Sequence, residues 1–316
     1  MKQFEEQLQS PKTFISFLVA LAILMYVIQT ADLRKVLQVI RGIHLPQFLG
    51  GLLLFYLVLV LKAIRWNYLL AKNSMSLSTF DAIEILLLSQ FVNCLVPAKL
   101  GDLYRAWLVK KNYSHSGSKV VGTLFVERLF DLVVMFVLVG IVGFSMFGSY
   151  QEFKTVVLLG FGLIVLIVAA FACIIYGRQW IAKMLSSQLA GKFQEIVTNF
   201  EEGCRNSITP LSFCVLLFLS VLIWFGSAGV LWLVGQSLDA GIGLWLALFV
   251  IVISSALGVV PLTPAGLGIV EAGIAGVLVF IGIPSTVAVA VALLERSIDY
   301  WSVLVFGFVD FLMTKK

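Results

Sequence analysis

Charge is what this chain has least of. Only 12% of its 316 residues are Asp, Glu, Lys or Arg, and 60% are hydrophobic, whereas soluble domains carry about 25% charged residues. An ordinary soluble domain is excluded. The formal net charge of +5 therefore reads as basic loops held against anionic headgroups, and no nucleic-acid partner is implied. Histidine is nearly missing. His44 and His115 stand alone without a partner motif, which argues against a zinc site or a Ser-His-Asp triad. Cys94, Cys173, Cys204 and Cys214 form no C-x-x-C pair and read as small buried hydrophobes rather than a disulfide or metal framework. No metal or cofactor is expected. Gly266-x-Gly268 lacks a correctly placed third glycine and a preceding strand, so it is no dinucleotide fingerprint. The many aromatics suit lipid-facing and interfacial surfaces and receive no binding role.

Long apolar runs are what the chain has instead. A membrane span needs about 20 mostly apolar residues. Candidates lie near 13–30, 48–71, 80–96, 119–148, 155–176, 210–235, 243–260, 266–281 and 286–311. The chain is expected to be an all-α polytopic integral membrane protein, one membrane domain over 1–316 with no soluble catalytic domain attached. The run Thr13–Thr30 has mixed charges before it and no small-x-small site after it, so it reads as a retained helix.

Within these runs one pattern is written twice. Pro97-Ala98-Lys99-Leu100-Gly101 is followed by Glu127-Arg128-Leu129-Phe130-Asp131; Pro264-Ala265-Gly266-Leu267-Gly268 is followed by Glu295-Arg296-Ser297-Ile298-Asp299. The matching units cover 1–150 and 151–316. Each opens on an apolar helix, passes through a connector, and continues through a second apolar helix to the Pro/Gly break. The connector 179–205 carries apolar residues at three- and four-residue steps and is expected to lie in the interface plane as an amphipathic helix. Pro97, Gly101, Pro264, Gly266 and Gly268 should end a helix within each unit. Such breaks survive at membrane depth only where protein or a water-filled cavity covers them, which predicts re-entrant hairpins near 80–110 and 243–281. With the N-terminus cytoplasmic, six helices cross. Lys62, Arg65, Lys72, Lys99, Arg105, Lys110, Lys111 and Lys119 fall inside, as do Arg178, Lys183, Lys192, Arg205, Lys315 and Lys316. Arg34, Lys35, Arg41 and Lys154 fall outside, in keeping with the positive-inside rule. Three crossings per unit make the two repeats inverted, a recurring transporter design.

The E-R-x-x-D spacing puts both acids on one helix face with the Arg in reach. Each charge costs about 2.5–3.5 kcal/mol at the bilayer centre on the insertion scale, so these six residues must face inward and largely neutralise one another. They read either as a structural ion-pair network or as a polar site, and intramembrane charges favour the second. Arg105, Arg128, Arg296 and Lys99 are the candidate substrate-binding cations. Asp102, Glu127, Asp131, Glu271, Glu295 and Asp299 are the candidates for charge balance or proton coupling. Helices starting after Gly101 and Gly268 are expected to point free amides at a phosphate. Lys62, Arg65, Lys110 and Lys111 read as snorkelling anchors.

Asn93-x-x-Val96-Pro97-x-x-x-Gly101-Asp102-x-x-Arg105, then Val126-Glu127-Arg128-x-x-Asp131, then Pro264-Ala265-Gly266-Leu267-Gly268-x-x-Glu271, then Arg296, resembles the flippase-like transmembrane domain of the lysyl-phosphatidylglycerol synthase/flippase family. The resemblance covers nearly the whole chain, with Lys99 where that family often has Gly and Asp102 where it often has Glu. It implies a standalone member without the synthase domain, placed in the cytoplasmic membrane, that moves a polar-headed lipid between leaflets: an anionic phospholipid or a polyprenyl-phosphate-linked lipid. Asp102, Arg105, Glu127, Arg128, Asp131, Glu271 and Arg296 would form the site. A lipid-synthase or glycosyltransferase partner is conceivable on this reading. The alternatives are a membrane-embedded lipid-modifying enzyme, disfavoured by the lack of a nucleophile motif or His cluster, and a non-transporting scaffold for a synthase.

Overall fold

The computed structural model describes residues 11–96, 100–147, 187–258 and 262–314, with 155, 158–160, 162, 165–167 and 169 between them. The described residues form helices and no strand. In chain order these are α1 (Pro11–Thr30), α2 (Leu33–Arg41), α3 (Leu45–Lys72), α4 (Thr79–Leu95), α5 (Gly101–Tyr113) and α6 (Gly117–Phe147). Then come α7 (Ser187–Ser207), α8 (Pro210–Ser237), α9 (Leu244–Leu257), α10 (Ile269–Phe280), α11 (Ser285–Arg296) and α12 (Ser302–Met313). A short 3-10 turn, Pro264–Gly266, precedes α10, and a π turn, Ser297–Trp301, joins α11 to α12. Each apolar run expected within these segments is helical. Most of the expected run 155–176, the first part of the amphipathic connector, Pro97, Lys99, Pro261 and both chain ends lie outside the described residues.

Two described helices, α3 and α8, have the length and composition to cross a membrane, each with 28 residues. At about 1.5 Å per residue they reach about 42 Å, beyond the ~30 Å hydrocarbon core. A third span results if α1 and α2, bent by 80° where Asp32 takes φ 56°, count as one. By contrast α9 and α10 have 14 and 12 residues, about 21 and 18 Å, and each is too short to cross alone. The Pro/Gly break divides what hydropathy alone reads as apolar spans.

The polypeptide forms two compact units that interleave along the chain. One contains Met1–Val60, Glu84–Tyr104 and Ile223–Lys315; the other contains Leu61–Ile83 and Arg105–Leu222.

In the first unit Ala20, Cys94, Leu267, Tyr300 and Val303 form a buried cluster, with Phe55 and Leu87 packed against it. α9 packs on α10, α10 on α11, and α1 on α10. The chain reverses before α10 through Ala265 at φ 46° and Gly268 at φ 85°. A side chain at Gly268 would be strained by that φ, and its Cβ would come within 2.8 Å of the Ala20 carbonyl oxygen. Gly101 opens α5 in equally close quarters: a Cβ there would collide with the Ser89 carbonyl and the Asn93 side chain. The helix-break glycines thus let α5 approach α4, and α10 approach α1, backbone to backbone.

In the second unit α7 packs along α6, with Gly122 facing Gly203. Leu69, Val126, Phe130, Cys204 and Leu216 form its buried core. Asn73 fixes the end of α7 by donating to the Gly203 carbonyl at 3.2 Å and the Ser207 hydroxyl at 3.0 Å. The apolar side of α7 is largely used up on protein. Val197 and Cys204 are buried, and the Phe200 ring lies 5.8 Å from that of Phe125, whereas Ile196 stays exposed. Burial, and after it the Glu201 carboxylate, pushes the Cys204 thiol up to about 12. It behaves as the small hydrophobe expected. Cys214 departs from that reading and is exposed, on the side of α8 that also exposes Leu211 and Phe218.

Gly268→Ala should lower the thermal unfolding midpoint of the detergent-solubilised protein, by about 1–3 kcal/mol of stability. Gly276→Ala, in helical backbone with nothing within 4 Å of the new Cβ, should leave it unchanged or raise it by up to about 1 kcal/mol.

Candidate functional site

Of the six E-R-x-x-D charges, Glu127, Glu295 and Arg296 are buried and Asp131 nearly so, whereas Arg128 and Asp299 keep 45% and 32% of their side chains exposed, and other helices supply further partners to each copy. In α6, Glu127 is buried and Asp131 keeps 19% of its side chain exposed. Arg105 of α5 approaches Glu127 with both terminal nitrogens, at 3.3 and 3.4 Å. Arg65 of α3 holds Asp131 with Nη1–Oδ1 at 2.5 Å and Nη2–Oδ2 at 3.1 Å, reaches Glu127 Oε1 at 3.3 Å, and donates to the Ser220 hydroxyl at 2.7 Å. Bidentate guanidinium–carboxylate pairs of this kind are the strong, geometry-specific ones.

Arg65 corrects the sequence reading. It is no snorkelling anchor: it is 1% exposed, lies well inside a 28-residue helix, and bridges both acids of the motif. Lys110 and Lys111, by contrast, are exposed at the end of α5, with Lys111 over the Trp107 ring, as snorkelling requires.

Arg128, the arginine of the motif itself, behaves differently. It meets Asp131 at 3.6 Å and keeps 45% of its side chain exposed. Three guanidiniums, Arg65, Arg105 and Arg128, thus converge on Glu127 and Asp131. Some of their donors are unused among the described residues. Nε of Arg65, Nε of Arg105 and Nε1 of Trp66 are buried with no acceptor among the described residues. Trp66 lies beneath Arg105, ring centre to guanidinium carbon 4.8 Å. Stacking of this kind is favourable once water is excluded, and it gives a wholly buried tryptophan a place in the site that composition alone did not assign.

The second copy inverts this arrangement. Arg296 is the buried, fully engaged member. Its Nη1 meets Asp299 at 2.6 Å, its Nε meets Glu271 of α10 at 3.3 Å, and its Nη2 donates to the Ala265 carbonyl at 3.0 Å. Its guanidinium lies over the Tyr300 ring at 5.1 Å, and the Tyr300 hydroxyl donates to the Cys94 carbonyl at 3.0 Å. One arginine thus ties the π turn, α10 and the broken backbone together, giving the break the protein cover that apolar surroundings demand. Glu295 is 3% exposed, and its Oε2 has no hydrogen-bond partner among the described residues. Among the described residues the first group thus holds buried donors without an acceptor, and the second a buried acceptor without a donor.

The expected phosphate cradles at the two breaks are partly filled by the protein itself. The Gly268 amide donates to Glu271 Oε2 at 2.7 Å, and the Gly101 amide to Asn93 Oδ1 at 2.8 Å. A carboxylate therefore occupies the start of α10, satisfying the amide and the positive helix end. Pro264 and Gly266 are buried beside it, Asp102 is half-buried in the first turn of α5, and Lys99 lies outside the described residues. Among the described residues no three His, Cys, Asp or Glu side chains converge to hold a metal ion.

Arg65→Ala should destabilise the protein by about 3–5 kcal/mol, because it removes the bidentate partner of Asp131 and one of the two arginines at Glu127 from an apolar interior. Arg128→Ala, removing a half-exposed cation that meets Asp131 at 3.6 Å, should cost less than about 1 kcal/mol. Thermal unfolding of both variants in the same detergent compares them directly.

A family model described as the lysylphosphatidylglycerol synthase TM region matches residues 13–307. A UPF0104 membrane protein of Methanocaldococcus jannaschii is 34% identical over 226 residues, covering 72% of this chain and 95% of that relative. A second UPF0104 membrane protein of that organism is 23% identical, covering 96% of this chain and 94% of the relative. A UPF0104 membrane protein of Pyrococcus horikoshii is 20% identical, covering 96% and 98%. With a match over nearly its full length, helices able to span a membrane and buried charge at the positions that carry the resemblance, the chain belongs to the lysylphosphatidylglycerol synthase transmembrane-region family, a membrane family related to lipid metabolism.

Proposed function

We propose that this protein moves a polar-headed, anionic lipid between membrane leaflets. The observation that carries the reading is the gathering of arginines at Glu127 and Asp131. Arg65 and Arg105 are buried against the acids, and Arg128, which also meets Asp131, keeps nearly half of its side chain exposed. Positive charge at apolar depth is costly and marks substrate or ion pathways. An anionic headgroup offsets it while the acyl or isoprenoid chains stay in lipid.

The buried, unaccepted donors of Arg65, Arg105 and Trp66 support the same reading, since a phosphate oxygen or a bound water would satisfy them. Two inverted repeats with re-entrant breaks, cytoplasmic termini and a cytoplasmic-membrane location complete the proposal. The short α9 and α10, flanking a Pro/Gly turn that Arg296 closes, support the re-entrant part. The family description supports a lipid as cargo, and a partner synthase or glycosyltransferase would supply or consume it.

The test is lipid scrambling in proteoliposomes containing fluorescent phosphatidylglycerol or a fluorescent polyprenyl phosphate. Wild type should move at least one of them faster than empty vesicles do. Arg128→Ala should slow that movement at least tenfold while its unfolding midpoint stays near wild type. Equal rates for wild type, Arg128→Ala and empty vesicles with both lipids would sink the proposal.

A further inference from the structure

Glu295 is a buried ionisable group of the second motif that the ion pairs above do not include. It sits on α11 next to Arg296, yet that guanidinium bonds to Asp299, Glu271 and the Ala265 carbonyl. The side chain is 3% exposed, and Oε2 receives no hydrogen bond among the described residues. Its equivalent in the first motif, Glu127, is held by two arginines. The charged groups that act on Glu295 are Asp299 and Arg296 on its own run of helix and Glu271 on α10, two carboxylates against one guanidinium already engaged by both.

Among the described residues, the other elements packed on α11 bring no further cation to it. α2 packs on α11, but its Arg34, Lys35 and Arg41 are exposed, as is Asp32 before it. α1 also touches α11 and, among its described side chains, contributes only the exposed Tyr26 as a titratable group. The Tyr300 hydroxyl is committed to the Cys94 carbonyl. Directly after Arg296 the helix widens into the π turn Ser297–Trp301, a local irregularity that recurs at functional positions.

A buried carboxylate with neither donor nor unshared cation is too costly to persist, whereas a neutral carboxyl in the same place is not. We propose that Glu295 is a proton-binding site: its carboxyl takes up and releases one proton, and that proton is the ion coupled to lipid movement. The coupling half rests on the function proposed above; the proton site does not. In the protonated form Arg296 faces two carboxylates, Glu271 and Asp299. Release leaves a third carboxylate on the same guanidinium, so the site favours reloading with a proton, or with a cationic group in its place.

The test is infrared spectroscopy of the full chain in phosphatidylcholine vesicles, recorded near neutral pH in potassium and in sodium salts. Wild type should show a protonated-carboxyl C=O band that shifts in deuterium oxide. The band should vanish in Glu295→Gln and persist in Glu84→Gln. Glu295→Asp, which retains a carboxyl, should keep it at a displaced frequency and decides the matter if Glu295→Gln does not fold. A band unchanged in Glu295→Gln and Glu295→Asp overturns the proposal. A band abolished by sodium overturns it in favour of a metal cation. In the scrambling assay a pH gradient should alter the wild-type rate and leave the Glu295→Gln rate unaltered; a gradient effect that survives in Glu295→Gln overturns the coupling. If no lipid moves in any variant but the band behaves as stated, the transport reading fails and the proton site stands.

Discussion

A charge placed in apolar surroundings must meet its partner there, and most of what is distinctive in this protein follows from that requirement. The helices themselves need little explanation, because long apolar runs satisfy their own backbone hydrogen bonds and tolerate hydrocarbon. Exceptions such as Glu127, Asp131, Glu271, Glu295 and Arg296 need it. Each bonded pair among them commits two helices to one arrangement: Arg65 binds α3 to α6 and α8, Arg105 binds α5 to α6, and Arg296 binds α10 to the π turn. A buried ion pair is a weak source of net stability, but removing one partner is severe. The pairs therefore act as registration devices. They select which helix faces meet, on surfaces where leucine and phenylalanine discriminate poorly.

The helix breaks obey the same rule. Proline and glycine end the helix and leave backbone polar groups to be satisfied locally. Glu271 takes the Gly268 amide, Asn93 takes the Gly101 amide, and Arg296 takes the Ala265 carbonyl. Glu271 serves two roles at once, capping α10 and neutralising Arg296. This dual use explains why a lone glutamate three residues after a Gly-x-Gly break stands in a stretch otherwise without charge.

Much of this was legible in the chain. Apolar run length located the helices, and Pro264, Gly266 and Gly268 located the interruption. The i, i+4 acids marked an inward face, and the repeated motif marked its importance. Partner choice was not legible. Arg65 meets Asp131 across 66 positions and Arg105 meets Glu127 across 22; nothing local distinguishes such a basic residue from an interfacial anchor. One signal was available for Arg65: it lies a full two turns before Lys72, the end of its helix, too deep for easy snorkelling. Trp66 and Tyr300 were hidden for a related reason. In a chain with so many aromatics, the two that lie beneath guanidiniums carry no mark in sequence. The spacing within the duplicated motif does not distinguish Glu127 from Glu295, which occupy opposite electrostatic settings.

That inequality bears on how such a chain can vary. If the motif arose by duplication, the copies are no longer interchangeable: α6 relies on arginines borrowed from α3 and α5, and α11 on a glutamate borrowed from α10. Transplanting Glu-Arg-Leu-Phe-Asp into the second position carries the motif across without Arg65 or Arg105, and transplanting the second motif into the first leaves its arginine without Glu271. Drift within either motif is thus constrained by residues that lie outside it, and the unit of inheritance is the motif together with its borrowed partner. A search for distant kin should weigh Arg65 with Asp131, and Glu271 with Arg296, as pairs.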